Sequence, residues 1–156
     1  MYPQISTKYM DQLASDEFKK ARRKGIWRTI ISWFTKQCND LFSLDRDILK
    51  GNIESQRYAG LQTVPLDQIV GSTGRSHEFD RAFFPRQTHT MNRWLNLAKA
   101  NYRSETLPPV DLVKVGDHYF VADGNHRVSV ARALGQDHIE ASVVEVVTAV
   151  SLPCPC

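Results

Sequence analysis

The chain has 156 residues, of which 42% are hydrophobic and 24% are charged, and its formal net charge is +3. This length suffices for one globular domain with an appendage, and the composition argues against wholesale disorder. No apolar run approaches the roughly 20 residues of a transmembrane helix, and the first residues lack the pattern of a signal peptide. We therefore expect a cytoplasmic protein without a transmembrane segment.

The basic residues are concentrated near the N-terminus. Residues 8–36 hold eight Lys and Arg against three Asp and Glu, which gives this segment a net charge of +5. Because the total net charge is +3, the rest of the chain carries −2. Trp27, Ile30, Ile31 and Phe34 recur at the spacing of one helix face. We predict helix from about Lys8 to Lys50, which Asn39 and Asp40 could divide into two helices, within an arm that spans residues 1–58.

Two interpretations of this arm stay open. In the first, the helix packs on the main domain and its charges are solvated. In the second, it is a basic amphipathic helix that contacts nucleic acid, an anionic membrane surface or a partner.

Three cysteines, Cys38, Cys154 and Cys156, are too few for a zinc site of ordinary ligand spacing. We predict no metal site and treat the three as incidental. The alternative is a redox or metal-capturing pair formed by Cys154 and Cys156.

Local patterns predict the elements of the main domain, residues 59–148, which residues 149–156 follow as a tail. Helical spacing predicts helices over 92–102 and 128–134, and Gly135 suits the end of the second. Turn and loop composition predicts connecting segments over 51–60, 71–75 and 116–117, and residues 67–70 are predicted as a turn or short helix. Runs of β-branched and other apolar residues predict strands over 62–66, 111–115, 118–122 and 139–147.

The loop Asp123-Gly124-Asn125-His126-Arg127 carries the clearest chemical signal. An apolar strand runs into a glycine turn that opens a helix, where unpaired amides and the helix dipole favour an anion such as phosphate. Gly124 permits close approach to the backbone, Arg127 offers a planar fork, and His126 can donate a hydrogen bond. Asp123 could cap the helix, orient His126 or help to hold a metal ion.

Asn125 and Ser129 are secondary candidates for the same ligand. The alternative interpretation of the whole segment is a capped helix that happens to contain His and Arg.

This segment resembles the Gly-x-His-Arg signature of the ParB/sulfiredoxin superfamily. The likeness covers about 85 residues, Leu61 to about Val147, because the flanking elements follow the order of the ParB N-terminal domain. It implies an α/β (α+β) fold with a mixed sheet. It also implies that Gly124, His126 and Arg127 hold the phosphates of ATP, ADP or CTP, with Mg²⁺ accompanying the nucleotide. Arg75 matches the family's early loop arginine and would also face the nucleotide.

The chain departs from parts of the family pattern. Sulfiredoxins carry a catalytic cysteine where this chain has Asn125, so the resemblance does not imply sulfiredoxin chemistry. Partition proteins continue into a helix-turn-helix region, for which we expect no room after Gly135. The loop is closer to the Asp-Gly-His-His-Arg form of the free serine kinases, which keeps phosphoryl transfer open.

Two carboxylates near Arg75 are the candidates for catalysis. Phosphoryl transfer needs a base and usually a carboxylate for Mg²⁺, and Glu78 or Asp80 would serve; the alternative is a solvated turn. Arg86, His89 and Arg93 could extend a basic rim round the nucleotide; the alternative is an exposed loop.

The function we predict is nucleotide binding with NTPase or small-molecule kinase potential, and a homodimer stays open. The alternative is a non-catalytic, nucleic-acid-associated module of partition or regulatory type that uses the basic arm.

Overall fold

A computed structural model describes residues 6–44, 53–74 and 76–149. Within these ranges, three α-helices accompany a six-stranded sheet. The helices are α1 (Thr7–Thr35), α2 (Met91–Tyr102) and α3 (Asn125–Ala133). The strands are β1 (Phe42–Ser43), β2 (Ile53–Pro65), β3 (Ile69–Ser72), β4 (Val110–Val115), β5 (His118–Asp123) and β6 (His138–Thr148). Single 3₁₀ turns cover Leu66–Gln68 and Ser76–Glu78.

The sheet is mixed, with the strand order β1-β3-β5-β4-β6-β2. β3 runs parallel to both β1 and β5, and β4 runs parallel to β6. The pairs β4–β5 and β2–β6 are antiparallel. The β4–β5 hairpin turns at Gly116, whose φ of 58° suits a residue without Cβ. This architecture confirms the α/β class predicted from the sequence.

The core has three parts. The largest lies between the sheet and α3 and includes Val121 and Val128. A second joins the helices, where the Phe18 and Trp94 rings pack edge to face at 5.4 Å between centroids. A smaller cluster around Phe120 covers the other face of the sheet. Helix α3 therefore has packed structure on two sides, which fixes the direction of its first turn.

Local patterns located the central elements well. The predicted helix over 92–102 and the strands over 111–115, 118–122 and 139–147 are confirmed to within about one residue at most of their ends. The predicted helix over 128–134 is also present, but it begins earlier, at Asn125. This shift matters because it moves the first helical turn into the predicted binding loop.

The prediction of helix through residue 50 is wrong for residues 36–43. Helix α1 ends at Thr35, and Lys36 adopts a left-handed φ of 53°. The Asn39 amide then donates to the Thr29 hydroxyl at 3.3 Å, which folds the chain back along the helix. Phe42 pairs with Gly71 in the parallel ladder of β1 and β3. Residues 45–50 lie outside the described residues.

The connector predicted over 51–60 and the loop predicted over 71–75 also need correction. Residues 53–60 form the first half of β2, where Tyr58 pairs with Val144 of β6. Gly71 and Ser72 complete β3 between two parallel neighbours. In both segments the sheet partner, rather than the local composition, stabilises the strand. Residues 51–52, Arg75 and residues 150–156, with Cys154 and Cys156, lie outside the described residues.

Helix α1 packs on the domain, but not through the apolar stripe that its periodicity suggests. Its buried residues are Ala14, Phe18, Ala21 and Gly25. Trp27 and Phe34 remain 63% and 74% exposed. The three small residues let α1 lie close to its neighbours and Phe18 packs on Trp94, whereas the large side chains after Gly25 are exposed.

Gly71 provides a test of the β1–β3 pairing. A Cβ at this position would clash with the Phe42 carbonyl oxygen and lie 2.8 Å from the Phe120 ring. We expect Gly71→Ala to lower the free energy of unfolding by about 2–3 kcal/mol, as overpacking does elsewhere. Urea unfolding would measure it, with Gly74→Ala as the control because a Cβ there meets nothing within 4 Å. Equal midpoints for the two variants would contradict the tight pairing.

Candidate functional site

A cavity of about 280 Å³ lies where β5 ends and α3 begins. All five residues of the predicted loop, 123–127, line it together with residues from the β3 end and from α2. The lining residues are Gly74, Arg93, Leu97, Ala122, Asp123, Gly124, Asn125, His126 and Arg127. The structure therefore brings the predicted loop to one concave surface.

Gly124 sets the geometry of this surface. Its φ of 104° is a backbone conformation that favours glycine, and a Cβ there would lie 2.7 Å from Val110 Cγ1. As the N-cap of α3 it has no side chain with which to cap the first-turn amides. The first intrahelical bond runs from the Val128 amide to the Gly124 carbonyl at 3.0 Å. The amides without an intrahelical acceptor therefore belong to the turn before Val128, inside the loop.

Asn125 is buried but incompletely satisfied. Its side chain lines the cavity, and the residue is 7% exposed. The amide Nδ2 lies at a long 3.5 Å from the Gly74 carbonyl, and Oδ1 has no hydrogen-bond partner within the described part of the chain. A buried polar atom left in this state costs about 1–3 kcal/mol. A bound ligand would relieve that cost through either end of the amide.

Arg127 is held mainly by the protein itself. Its Nη1 donates to the carbonyls of Pro108 and Pro109, at 2.5 and 2.8 Å, and its Nη2 donates to Asp123 Oδ2 at 2.8 Å. The guanidinium thus ties the segment before β4 to the start of α3. These three bonds use three of the five N–H donors of the guanidinium. The Nε–H and one N–H of Nη2 remain. Asp123 serves as the partner of Arg127 and its side chain is 65% exposed.

His126 and Ser129 occupy different environments. His126 is 5% exposed and its ring stands edge to face against Phe79 at 5.1 Å, while it also lines the cavity. Ser129 is fully buried, and its hydroxyl accepts a hydrogen bond from Trp94 Nε1 at 3.0 Å. Ser129 does not line the cavity, so the structure places it in the packing of α3 against α2.

Neither predicted catalytic carboxylate lines the cavity. Glu78 is buried, with Oε1 4.0 Å from His89 Nε2. Asp80 is fully buried; its Oδ1 accepts from the Ala82 and Phe84 amides, and its Oδ2 lies 3.3 Å from Arg28 Nε. Asp80 thus fixes the 80–84 turn against α1.

Of the three residues predicted to form a basic rim, one lines the cavity and two have other partners. Arg93 lines the cavity, whereas Arg86 pairs with Asp40 at 2.8 Å and His89 lies beside Glu78. Arg75 lies outside the described residues, so its predicted role stays a prediction.

The sequence interpretation missed Leu97 as a contributor to the cavity, and it missed Arg132 as a residue that ties α3 to the segment at the start of β3. Leu97 lies one helical turn after Arg93 on α2, so the i, i+4 spacing from a basic residue was the available signal. Arg132 does not line the cavity; it is half-buried over the Phe83 ring, 5.0 Å from its centroid, and donates to the carbonyls of Leu66 and Ile69. No sequence pattern distinguishes such an internally bonded arginine from a solvated one.

Comparison with known proteins identifies the family. The family model of the ParB N-terminal domain matches residues 51–153, and the chain therefore belongs to that family. The predicted membership of the ParB/sulfiredoxin superfamily is confirmed. No curated protein matches the chain. Among solved structures, the crystal structure of sulfiredoxin from Arabidopsis thaliana is similar, at 20% identity and a TM-score of 0.43, over 56% of this chain and 86% of that one.

The environment of Asp80 predicts a pH dependence of stability. Burial raises the pKa of Asp80 above its ordinary 3.8, against the opposing effects of the Phe84 and Ala82 amides and of Arg28. The folded protein therefore keeps this proton to a higher pH than the unfolded chain. Its contribution to stability is present below pH 3.8 and is lost as the pH rises through the folded-state pKa.

Asp80→Asn removes this titration while keeping an oxygen for the two amides. We expect the free energy of unfolding of the variant, relative to the wild type, to increase as the pH rises from about 4 to about 7. Urea unfolding of both proteins across that range measures the difference between their free energies of unfolding. The contributions of the other titrating groups are common to both proteins and cancel in this difference. Parallel pH profiles would contradict the assignment of a raised pKa to Asp80.

Proposed function

We propose that the protein binds the phosphates of a nucleoside di- or triphosphate, such as ATP, ADP or CTP, in the cavity at the start of α3. The observation that carries the proposal is the left-handed turn at Gly124, which places the uncapped first turn of α3 on the cavity wall. Amides at a helix N-terminus and the positive end of the helix dipole favour phosphate oxygens.

The side chains around the cavity support an anionic ligand. Arg93 is exposed at the rim, and Arg127 adds a second cation whose position is fixed by its bonds to Pro108 and Pro109. Asp123 neutralises part of this charge, but it is paired with Arg127. The Asn125 amide supplies either a donor to phosphate or an acceptor for a ribose hydroxyl.

The size of the cavity suits phosphates rather than a whole nucleotide. Its volume of about 280 Å³ lies just below the range of roughly 300–1,000 Å³ for small-molecule sites. A second cavity of about 290 Å³ shares Leu97 and Arg127 with it. Leu107, Val110 and Ile139 give this second space an apolar wall. A nucleotide with its phosphates at α3 would place its sugar and base there.

Mg²⁺ and phosphoryl transfer would both depend on Asp123. Among the described residues that line the first cavity, Asp123 is the one carboxylate. Mg²⁺ prefers carboxylate and phosphate oxygens, so Asp123 would hold the ion together with the bound phosphates. NTPase or kinase turnover would need a carboxylate at the phosphates, and Glu78 and Asp80 are held elsewhere.

Arg93 provides the first test, because it is exposed and its removal leaves the core intact. We expect Arg93→Ala to weaken nucleotide binding about tenfold, as the loss of one charge-assisted hydrogen bond does. Titration calorimetry with ATP, ADP, CTP and GTP in Mg²⁺ measures this. Arg103→Ala is the matched control, since Arg103 is an exposed cation next to the C-terminal end of α2 and away from the cavity. Failure of every nucleotide to bind the wild type would overturn the proposal.

The loop itself provides a second test, in which two substitutions change the charge of the cavity in opposite directions. Asn125→Asp introduces a negative charge into the cavity and should weaken phosphate binding by more than tenfold. Asp123→Asn removes a negative charge and frees a donor of Arg127, so it should bind at least as tightly as the wild type in the absence of Mg²⁺. Circular dichroism would verify that both variants are folded. Equal affinities for the two variants would exclude a phosphate at this position.

A further inference from the structure

The second half of α1 presents an unusual surface. Every buried residue of the helix lies at or before Gly25, and the residues after it are exposed or half-buried. Six large apolar side chains are exposed within this short stretch, with Trp33 at 79% and Phe34 at 74%. They are Ile26, Trp27, Ile30, Ile31, Trp33 and Phe34. Contiguous exposed apolar groups of this kind mark an interaction site.

Three of these residues, Ile26, Ile30 and Trp33, line a cavity together with residues 36–40. The other three, Trp27, Ile31 and Phe34, form an outward face that is cationic in the first half of the helix. Lys20, Lys24, Trp27, Ile31 and Phe34 follow one another at spacings of four and three residues, so they form one line along the helix. Trp27, Ile31 and Phe34 face away from the buried residues of α1, whereas Lys24 flanks the buried side. The character of the line therefore changes along its length from basic to apolar and aromatic.

The charge along this part of the chain has one sign. Residues 18–36 contain seven Lys and Arg and no Asp or Glu. Arg28 is paired with Asp80 at 3.3 Å, and Lys19 and Lys20 reach the preceding acids Asp16 and Glu17 only at 3.8 Å. Lys24 lies over the Phe84 ring at 5.8 Å. Lys20, Arg23 and Lys24 are nevertheless exposed, so their charges can reach an external anion.

We propose that this outward face of α1 docks on the surface of an anionic lipid bilayer. The apolar and aromatic side chains would enter the interfacial region, and the cations before them would contact the lipid phosphates. Tryptophan suits this depth because its ring is amphipathic. No helix of the described residues is long and apolar enough to cross a membrane, so the helix would lie on the surface.

The charge distribution disfavours a second copy of the chain as the occupant. A parallel pairing would bring Lys20, Arg23 and Lys24 against the same residues of the other copy. An antiparallel pairing would bury these cations against Trp27 and Phe34 and desolvate them. Nucleic acid would satisfy the cations but leave the apolar half of the face in water.

The test uses the full chain and vesicles of phosphatidylcholine, with and without phosphatidylserine. We expect the protein to co-sediment with the anionic vesicles and to be released by salt. The emission of Trp27 and Trp33 should shift to shorter wavelength on binding. Trp94 is fully buried and gives a constant background. The assay contains no nucleotide, so its outcome is independent of the proposed cavity.

Two variants separate the apolar from the cationic contribution. Trp27→Ala with Phe34→Ala should reduce partitioning at least tenfold, whereas Tyr58→Ala with Leu61→Ala, equally exposed on β2, should leave it unchanged. Neutralising Lys20, Arg23 and Lys24 to Gln should weaken binding to anionic vesicles roughly a hundredfold, because each basic residue near such a surface contributes about fivefold.

Three results would overturn the proposal. The first is absence of binding to the anionic vesicles. The second is wild-type binding by the variant that lacks Trp27 and Phe34. The third is that the wild type binds no lipid but self-associates in sedimentation velocity, or binds duplex DNA, and that the substitutions at these positions abolish this other association.

Discussion

The close approach of Gly124 to Val110 is the constraint on which the candidate site depends. β4 occupies the space that a side chain at position 124 would need, since a Cβ there would lie 2.7 Å from Val110 Cγ1. The chain leaves β5 with a left-handed φ and enters α3 at once. The sheet thereby fixes where the first turn of the helix points, and the direction of its amides does not depend on a ligand.

Arg127 reinforces the same arrangement. The guanidinium joins Asp123, before the turn, to the carbonyls of Pro108 and Pro109, before β4. The sequence resemblance predicts that Arg127 binds phosphate, whereas the structure uses three of its five N–H donors for bonds within the protein. These two roles are compatible, because an arginine held in place by carbonyls presents its remaining donors without further loss of side-chain entropy.

Sequence reasoning succeeded where structure is local and failed where it is not. The strand, glycine turn and helix around Gly124 follow from neighbouring residues, so the cavity-lining loop was predictable. β1 and the first half of β2 depend on pairing with Gly71 and with β6, which no local pattern contains. Asp80 and Ser129 look like catalytic or ligand-binding groups in sequence, but tertiary packing buries them with internal partners.

Helix α1 shows why periodicity alone does not identify a packing face. The spacing of Trp27, Ile30, Ile31 and Phe34 defines one side of the helix, but the spacing is the same whether that side faces inward or outward. The domain instead receives the side with Ala14, Phe18, Ala21 and Gly25, where three small residues allow close helix contacts and the Phe18 ring packs on Trp94. Since large apolar side chains gain from burial and their own domain does not bury them, the exposed side carries an unused driving force for association.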